Sequence, residues 1–268
     1  MLLDSINRQN MQEINNIGIF DSGVGGLTVL KSLIEEVGFQ HIVYYGDTAR
    51  VPYGNKDTAT IRRFSLEALA FFERFKLDLL VVACNTASAH ALETMQQCAN
   101  IPIIGVIESG VAALTQQNIE KNKHILVLAT EATIKSDSYA KNLRNLGYTN
   151  ITNIATNLFV SLVEEGVFSG RVVDSVLEYY FPPTLKPDVV ILGCTHFPLL
   201  LQPLQRFFGN QVRFIHSGEA IACYVRKHFH VANNTKNLID FFASDNVSKL
   251  KNTAQRWLKD GTYTMSVL

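Results

Sequence analysis

Residues 80–86 read LVVACNT, and residues 190–196 read VILGCTH. Each segment is a short apolar run that ends in a cysteine, with small polar residues and a helical pattern after it. Such a run predicts a buried parallel strand, and the helical pattern predicts the helix of a βα unit. Cys84 and Cys194 are therefore predicted where open α/β sheets build their sites. Because a helix N-terminus favours thiolate over thiol, two matched thiols at such positions suggest paired proton transfer.

Apolar runs and helical patterns alternate along the chain, and this alternation predicts an α/β fold with mostly parallel sheets covered on both faces. The candidate strands are residues 17–20, 41–46, 79–84, 102–106, 124–129, 151–155, 189–194, 212–216 and 238–243.

The repeated cysteine unit suggests two similar α/β lobes. Cys84 and Cys194 lie 110 residues apart, about the length of one domain. We predict a first lobe of residues 17–109 plus 217–268, which carries Cys84, and a second lobe of residues 110–216, which carries Cys194. With no long linker between them, the lobes are expected to pack closely around a cleft.

Composition narrows the class of protein. The chain has 24 basic and 24 acidic residues, and this neutral balance argues against a nucleic-acid partner held by phosphate contacts. No apolar run approaches the roughly 18 residues that a membrane span requires. Residues 1–16 are polar and are predicted to be a disordered or loosely attached leader. Four cysteines without a secretory signal favour free thiols in a reducing compartment, so we expect a cytoplasmic protein.

Two further loops are predicted at the ends of strands. Residues 18–28 run from a strand through the glycines at 23, 25 and 26 into a helix, a turn that either binds an anion or is purely structural. Asp21, just before this turn, either caps the helix or points into the cleft. Residues 45–54 follow the second strand as a polar loop. This loop either supplies ligand contacts or is an ordinary surface turn, and the sequence favours neither interpretation.

The other reactive side chains have simpler interpretations. Cys98 and Cys223 lie within helical patterns and are predicted to be small core residues. His196 comes two residues after the second cysteine and either tunes it or is incidental. The His228 and His230 pair lacks the spacing of a metal site, so no metal is expected.

The chain resembles the glutamate racemases of bacteria, within the cofactor-independent aspartate/glutamate racemase superfamily. The resemblance rests on eight ordered blocks with both cysteines in register, at residues 18–28, 45–54, 83–87, 105–108, 129–139, 158–164, 193–199 and 217–222. It implies two lobes related by a pseudo-twofold axis, an active site in the interlobe cleft, and a C-terminal segment that returns to the first lobe. Ser109 and His216 depart from the family, which often has Pro and Asp at these positions.

The resemblance also implies the site. Its catalytic residues are Cys84 and Cys194, as acid and base, assisted by Asp21, His196 and Glu164. Without the resemblance, Glu164 and its neighbour Glu165 would indicate a solvated helix face. The substrate contacts that the resemblance implies are Asp21, Ser22, Tyr53, Gly54, Asn85, Thr86, Thr130, Thr133, Thr195 and His196.

The implied activity is the interconversion of L- and D-glutamate without a cofactor, which supplies D-glutamate for peptidoglycan. Cys84 acts on the D-enantiomer and Cys194 on the L-enantiomer. Inversion at the α-carbon needs a base on one face and an acid on the other, in agreement with two thiols. Glutamate is the expected partner, without nucleic acid or membrane, and a homodimer is expected.

Three alternatives remain open from the sequence. The first is an aspartate or broad-specificity racemase of the same superfamily. The second is a thiol redox protein, which would need the two sulfurs within bonding distance. The third is a non-catalytic anion-binding module built on the glycine turn, in which both cysteines would be dispensable.

Overall fold

The protein is described by a computed structural model that covers residues 12–231, 237–258 and 263–267. The strands are β1 (Glu13–Ile14), β2 (Asn16–Asp21), β3 (His41–Gly46), β4 (Leu79–Val82), β5 (Ile103–Gly105), β6 (Ile125–Ala129), β7 (Ile151–Ala155), β8 (Val189–Gly193), β9 (Arg213–His216), β10 (His230–Val231), β11 (Asn237–Ala243) and β12 (Tyr263–Val267).

Helices connect most of these strands. They are α1 (Leu27–Glu36), α2 (Thr58–Phe72), α3 (Asn85–His90), α4 (Leu92–Cys98), α5 (Val106–Gln116), α6 (Glu131–Lys135), α7 (Ser138–Asn145), α8 (Asn157–Glu164), α9 (Arg171–Tyr180), α10 (Leu201–Phe208), α11 (Ser217–His228) and α12 (Val247–Trp257). Two 3-10 turns, Tyr53–Asn55 and Phe197–Leu200, complete the helical elements described. None of the helices in the described ranges combines the length and the apolar character that crossing a membrane requires.

Two parallel sheets form the framework, and they repeat one local topology. The six-stranded sheet has the order β12-β11-β3-β2-β4-β5, and the four-stranded sheet has the order β7-β6-β8-β9. Four strands that follow one another in the chain, β2–β5 in the first sheet and β6–β9 in the second, have the same arrangement. In each set the first strand lies between the second and the third, and the fourth lies beside the third. All neighbouring strands are parallel. The predicted α/β fold with mostly parallel sheets is confirmed, and β4 and β8 occupy equivalent positions in the two sheets.

Both faces of these central strands are buried, which explains their uninterrupted apolar sequences. In β4, Leu79 and Val81 belong to the core cluster under α1, whereas Leu80 and Val82 belong to the cluster under α2. Because successive side chains point to opposite faces of a sheet, a strand covered on both sides must be apolar at every position. The buried strand β8 divides its side chains between two clusters in the same way.

The C-terminal segment contributes to the first sheet. β11 hydrogen-bonds to β3 on one side and to β12 on the other, and α11 packs on both α1 and α5. The predicted lobe boundary between residues 109 and 110 falls inside α5. The side chain of Val106 in this helix belongs to the first-sheet core, whereas Ile107 and Val111 belong to the second.

The predicted leader is only partly described. Residues 1–11 lie outside the described residues. Glu13–Ile14, however, pairs in parallel with His230–Val231, and the side chain of Ile14 is fully buried. Loose attachment is therefore wrong for this part of the leader. A two-residue strand carries too little periodic signal to be recognised in a sequence.

Candidate active site

The two cysteines come after equivalent strands and are both buried free thiols. Cys84 lies just after β4 and caps α3, where the backbone N–H of Ala87 donates to Sγ at 3.5 Å. Cys194 lies just after β8 but precedes a 3-10 turn with a proline in its first positions. The prediction that each cysteine lies directly at a helix start therefore holds for Cys84 alone, because the element after β8 is a 3-10 turn that begins three residues after Cys194.

Both thiols line one small cavity of about 20 Å³. Its walls are Ser22, Val51, Pro52, Tyr53, Gly54, Cys84, Asn85, Thr86, Thr130, Val160, Cys194, Thr195 and His196. The largest surface cavity described, about 400 Å³ between α1 and α12, contains neither cysteine. The chemistry of the lining side chains, and not the size of the cavity, therefore identifies the candidate site. A volume this small corresponds to about one water molecule, so the cleft is closed.

Cys84 is held as a thiol. Its S–H donates to Ser22 Oγ at 3.4 Å. Burial, together with the nearby negative charge of Asp21, raises the pKa of Cys84 to about 12. The predicted helix-terminus effect on this thiol is thus outweighed, because desolvation of a fully enclosed sulfur disfavours its charged form.

Asp21 lies at the end of β2 and joins the two sides of the cleft. Its carboxylate accepts from the backbone N–H of Gly23 at 2.9 Å and from Thr195 Oγ1 at 3.2 Å. The side chain makes no cap on α1, whose N-cap is Gly26. Burial raises the pKa of Asp21 to about 6, although the charge of His196 and the hydrogen bond from Gly23 oppose this shift. The capping interpretation is therefore wrong, and Asp21, which does not line the cavity, reaches the cleft through its hydrogen bond with Thr195.

The second thiol has a different set of partners. His196 Nδ1 lies 3.7 Å from Cys194 Sγ, and its Nε2 lies 2.8 Å from Glu164 Oε1. Burial alone would lower the pKa of His196, but its hydrogen bonds and charge interactions with Cys194 and Glu164 raise it to about 10. Burial would likewise raise the pKa of Glu164, but His196 and Lys249 lower it to about 2. Protonated His196 therefore contacts Cys194 through one ring nitrogen, and ionised Glu164 contacts His196 through the other.

Glu164 and its neighbour behave differently. Glu165 is exposed, as a solvated helix face predicts, whereas Glu164 at the end of α8 turns inward. Lys249 supplies a second cation to this carboxylate, with Nζ 2.7 Å from Oε2. Lys249 was not predicted from the sequence, and it lies 85 residues from its partner.

Three hydroxyls from both lobes form a polar cluster, of which Thr86 and Thr130 line the cavity and Thr133 does not. Thr86 Oγ1 lies 2.9 Å from that of Thr130 and 3.1 Å from that of Thr133, and the last two are 3.0 Å apart. All three residues are buried. Gly54 packs so closely on this cluster that a Cβ there would lie 2.3 Å from Thr130 Cβ. A hydroxyl can donate or accept, so the cluster can redirect its donors toward a carboxylate.

Asn85 and Tyr53 are fixed by residues that the sequence did not single out. Tyr139 Oη donates to Asn85 Oδ1 at 2.6 Å, and Asn85 Nδ2 donates to Ser217 Oγ at 3.3 Å. Burial raises the pKa of the Tyr139 hydroxyl well above its usual range, which keeps it a donor.

On the other side, Tyr53 Oη donates to Asp47, a fully buried carboxylate at the end of β3. Asp47 also accepts from Arg50 Nε at 2.6 Å and from Ser244 Oγ at 2.7 Å. The signal that pointed to Asp21, an acid at the end of a buried strand, was equally present at Asp47.

The remaining cysteines are not core residues, contrary to the prediction. Cys98 is exposed at the end of α4, and Cys223 is half-exposed on α11. A helical pattern identifies the helix but does not fix which face a single cysteine occupies. Cys98 also lies on a different helix from the one that Cys84 caps, because the two helices are separated at Ala91. Within the described ranges, no group of three His, Cys, Asp or Glu side chains could hold a metal ion.

Two lobes of equivalent topology, each giving one thiol to a shared cavity, define a class of α/β protein with paired thiols across an interlobe cleft. The chain belongs to the Asp/Glu/hydantoin racemase family, whose model matches residues 17–225. The family resemblance read from the sequence blocks is confirmed.

Individual relatives agree with this assignment. The chain is 54% identical over 243 residues to a glutamate racemase of Campylobacter jejuni subsp. jejuni, covering 90% of this chain and 97% of the relative. A crystal structure of glutamate racemase from Campylobacter jejuni subsp. jejuni aligns with a TM-score of 0.87 at 53% identity, covering 90% of this chain and 97% of that one. A crystal structure of glutamate racemase from Francisella tularensis in complex with D-glutamate aligns with a TM-score of 0.80 at 29% identity, covering 95% and 97%.

Proposed function

We propose that this protein is an isomerase that interconverts L- and D-glutamate by two-base proton transfer, without a cofactor. The observation that carries the proposal is a pair of buried thiols, one from each lobe, on a single small cavity, with the charge of Asp21 near Cys84 and the imidazole of His196 3.7 Å from Cys194 Sγ. The relatives named above support glutamate as the substrate.

The chemistry requires opposite protonation of the two thiols. One cysteine, as thiolate, removes the α-proton, and the other, as thiol, donates its proton to the opposite face of the carbanion. Each turnover therefore exchanges the protonation states of Cys84 and Cys194. Cys84 acts on the D-enantiomer, with Asp21 as the group that assists it. Cys194 acts on the L-enantiomer, assisted by His196 and Glu164.

The substrate is held by neutral donors. Thr86, Thr130 and Thr133 supply hydroxyls from both lobes, and Thr133 faces a substrate carboxylate. Asn85, Tyr53, Gly54, Ser22 and Thr195 complete the contacts. Hydrogen bonds to an anion are stronger in a cavity without bulk water, so fixed hydroxyl and amide donors stabilise charge in the transition state.

The test is circular dichroism of L-glutamate with the purified protein and no added cofactor. The signal should decay to zero, and it should still do so after dialysis against EDTA and treatment with hydroxylamine. Loss of activity after either treatment would overturn the cofactor-free mechanism. Faster turnover of aspartate than of glutamate would instead identify the alternative substrate.

We further propose the setting of this activity. Residues 17–109 plus 217–268 form the first lobe and residues 110–216 the second, a division that the pairing of β11 with β3 supports. The protein acts in the cytoplasm as a homodimer and supplies D-glutamate for peptidoglycan. The need to keep Cys84 and Cys194 reduced supports the cytoplasmic location.

A further inference from the structure

Lys249, on α12, extends its side chain to Glu164, which in turn contacts His196 beside Cys194. Its Nζ lies 2.7 Å from Glu164 Oε2, while the other carboxylate oxygen of Glu164 lies 2.8 Å from His196 Nε2. Both oxygens of this largely buried carboxylate are therefore occupied. A carboxylate held at both oxygens cannot rotate without breaking a charge-assisted hydrogen bond.

The orientation of Glu164 decides the orientation of the imidazole. His196 is almost completely buried and has one ring nitrogen on Glu164 and the other 3.7 Å from Cys194 Sγ. Hydrogen bonding at one ring nitrogen fixes the position and the proton of the other. A displacement of Glu164 would therefore be transmitted to the contact with the sulfur.

The backbone under Lys249 is anchored to the first sheet. Asn246 caps α12 by accepting from the backbone N–H of Lys249 at 3.0 Å. The backbone N–H of Asp245 donates to Thr48 Oγ1 at 3.0 Å, and Ser244 Oγ donates to Asp47 at 2.7 Å. The ammonium group thus extends from a fixed connection on the first sheet to a carboxylate on α8, beside the second.

We propose that Lys249 is a positioning residue for the Cys194 half of the reaction. It acts through Glu164, which orients His196 against the sulfur of Cys194. It does not orient any group at Cys84. This inference rests on the proposed function, but the contact chain that it invokes can be tested without catalysis.

The test compares three variants of the full-length protein: Lys249→Met, which keeps the aliphatic stem, Lys249→Arg, which keeps the cation, and Lys251→Met, which removes an exposed lysine two residues along the same helix. Iodoacetamide labelling, monitored at the peptide level by mass spectrometry, gives the alkylation rates of Cys194 and Cys84 in one sample. Cys84 is the internal control for access to the cleft.

We expect Lys249→Met to slow alkylation of Cys194 by about tenfold, because the contact between His196 Nδ1 and its sulfur is displaced. The rate at Cys84 should change by less than about twofold, since its sulfur is hydrogen-bonded to Ser22 and Ala87 and not to His196, Glu164 or Lys249. Lys249→Arg should restore the Cys194 rate, and Lys251→Met should leave both rates unchanged. Parallel changes at both cysteines, or an unchanged Cys194 rate, would overturn the proposal.

Racemisation kinetics supply a second readout. L- and D-glutamate have equal free energies in water, so kcat/KM must remain equal in the two directions, and only kcat and KM measured separately are informative. We expect Lys249→Met to lower kcat with little change in KM. If the wild-type protein did not racemise glutamate, the proposed function would fail, while the alkylation ratio would still decide whether Lys249 acts on Cys194.

Discussion

At the scale of single residues, two buried carboxylates of the cleft have opposite pKa shifts. Asp21 has a raised pKa because burial outweighs its hydrogen bonds and the nearby charge of His196. Glu164 has a lowered pKa because His196 and Lys249 together outweigh burial. Environment alone therefore prepares one carboxyl group to exchange protons near neutral pH and keeps the other ionised.

The raised pKa of Asp21 predicts that its ionisation destabilises the fold. The folded protein binds this proton more tightly than the unfolded chain does, so the stability contribution falls as pH rises from about 4 through 6. The shift corresponds to a cost of about 3 kcal/mol at pH 8. Asp21→Asn should therefore raise the unfolding temperature at pH 8, with a smaller gain at pH 4.5, and should abolish racemisation. A less stable variant at pH 8 would contradict this, and thermal unfolding at both pH values decides it.

The two-base scheme predicts a sharp division among the four cysteines. Cys84→Ser and Cys194→Ser should each lose racemisation by several orders of magnitude, since a hydroxyl is a far weaker base than a thiolate. Cys98→Ser and Cys223→Ser, at exposed or half-exposed positions, should retain it. Near wild-type racemisation by either buried-cysteine variant would refute the scheme. Exchange of the α-proton with deuterium in each enantiomer identifies the face on which each thiol acts.

At the scale of elements, the site depends on close approach between loops from different strands. The 3-10 turn Tyr53–Asn55 packs on α6, and Gly54 leaves no room for a side chain against Thr130. The backbone of one loop thereby sets the position of the hydroxyl cluster provided by two others. Sequence patterns cannot report such a distance.

Gly54→Ala should consequently disturb substrate binding without unfolding the protein. The new Cβ must displace Thr130, and we expect KM for glutamate to rise by about tenfold or more. The matched control is Gly110→Ala in α5, where the nearest atom to a new Cβ, Tyr139 Oη, lies at 3.6 Å. That variant should retain activity and gain about 0.5–1 kcal/mol of stability from helix propensity. Steady-state kinetics and thermal unfolding of both variants are the measurements, and equal KM values would contradict the steric argument.

The sequence was sufficient for elements with a strong local pattern and insufficient for long-range contacts. β4 and β8 were predicted because both of their faces are apolar, and Cys84 and Cys194 because a strand end is a local signal. The pKa of Cys84 was predicted in the wrong direction because it depends on burial and on Asp21, which another strand carries. Lys249 was missed for the same reason, since nothing near it in the chain indicates Glu164.

At the scale of the whole molecule, the closed cleft must open for glutamate to enter. The cavity between the thiols is about 20 Å³, far smaller than the substrate. The contacts that close it include Thr28 Oγ1 donating to the carbonyl of Thr195 at 2.9 Å, and the close approach of Gly25 to His196. Opening must also break the side-chain hydrogen bonds that cross the cleft, among them Asp21–Thr195 and Thr86–Thr130, whereas the backbone hydrogen bonds of each sheet can remain intact.

Amide hydrogen exchange should detect this opening. Segments 22–28 and 194–199, which meet across the cleft, should exchange faster than the sheets in the free protein and become protected when D-glutamate is added. Residues 125–129, in the fully buried β6, are the control and should not change. Absence of protection at saturating D-glutamate in both cleft segments would contradict lobe opening.

The position of β11 between β3 and β12 also bears on how the chain folds as it leaves the ribosome. The strands of the second sheet all lie within residues 125–216, so this sheet can form once that stretch has emerged. The first sheet cannot, because β3 lacks its neighbour until residue 237 and beyond have been synthesised. Until then the nascent chain carries a strand edge open to pairing with other chains. The half of the protein that is made first is therefore the half that is finished last.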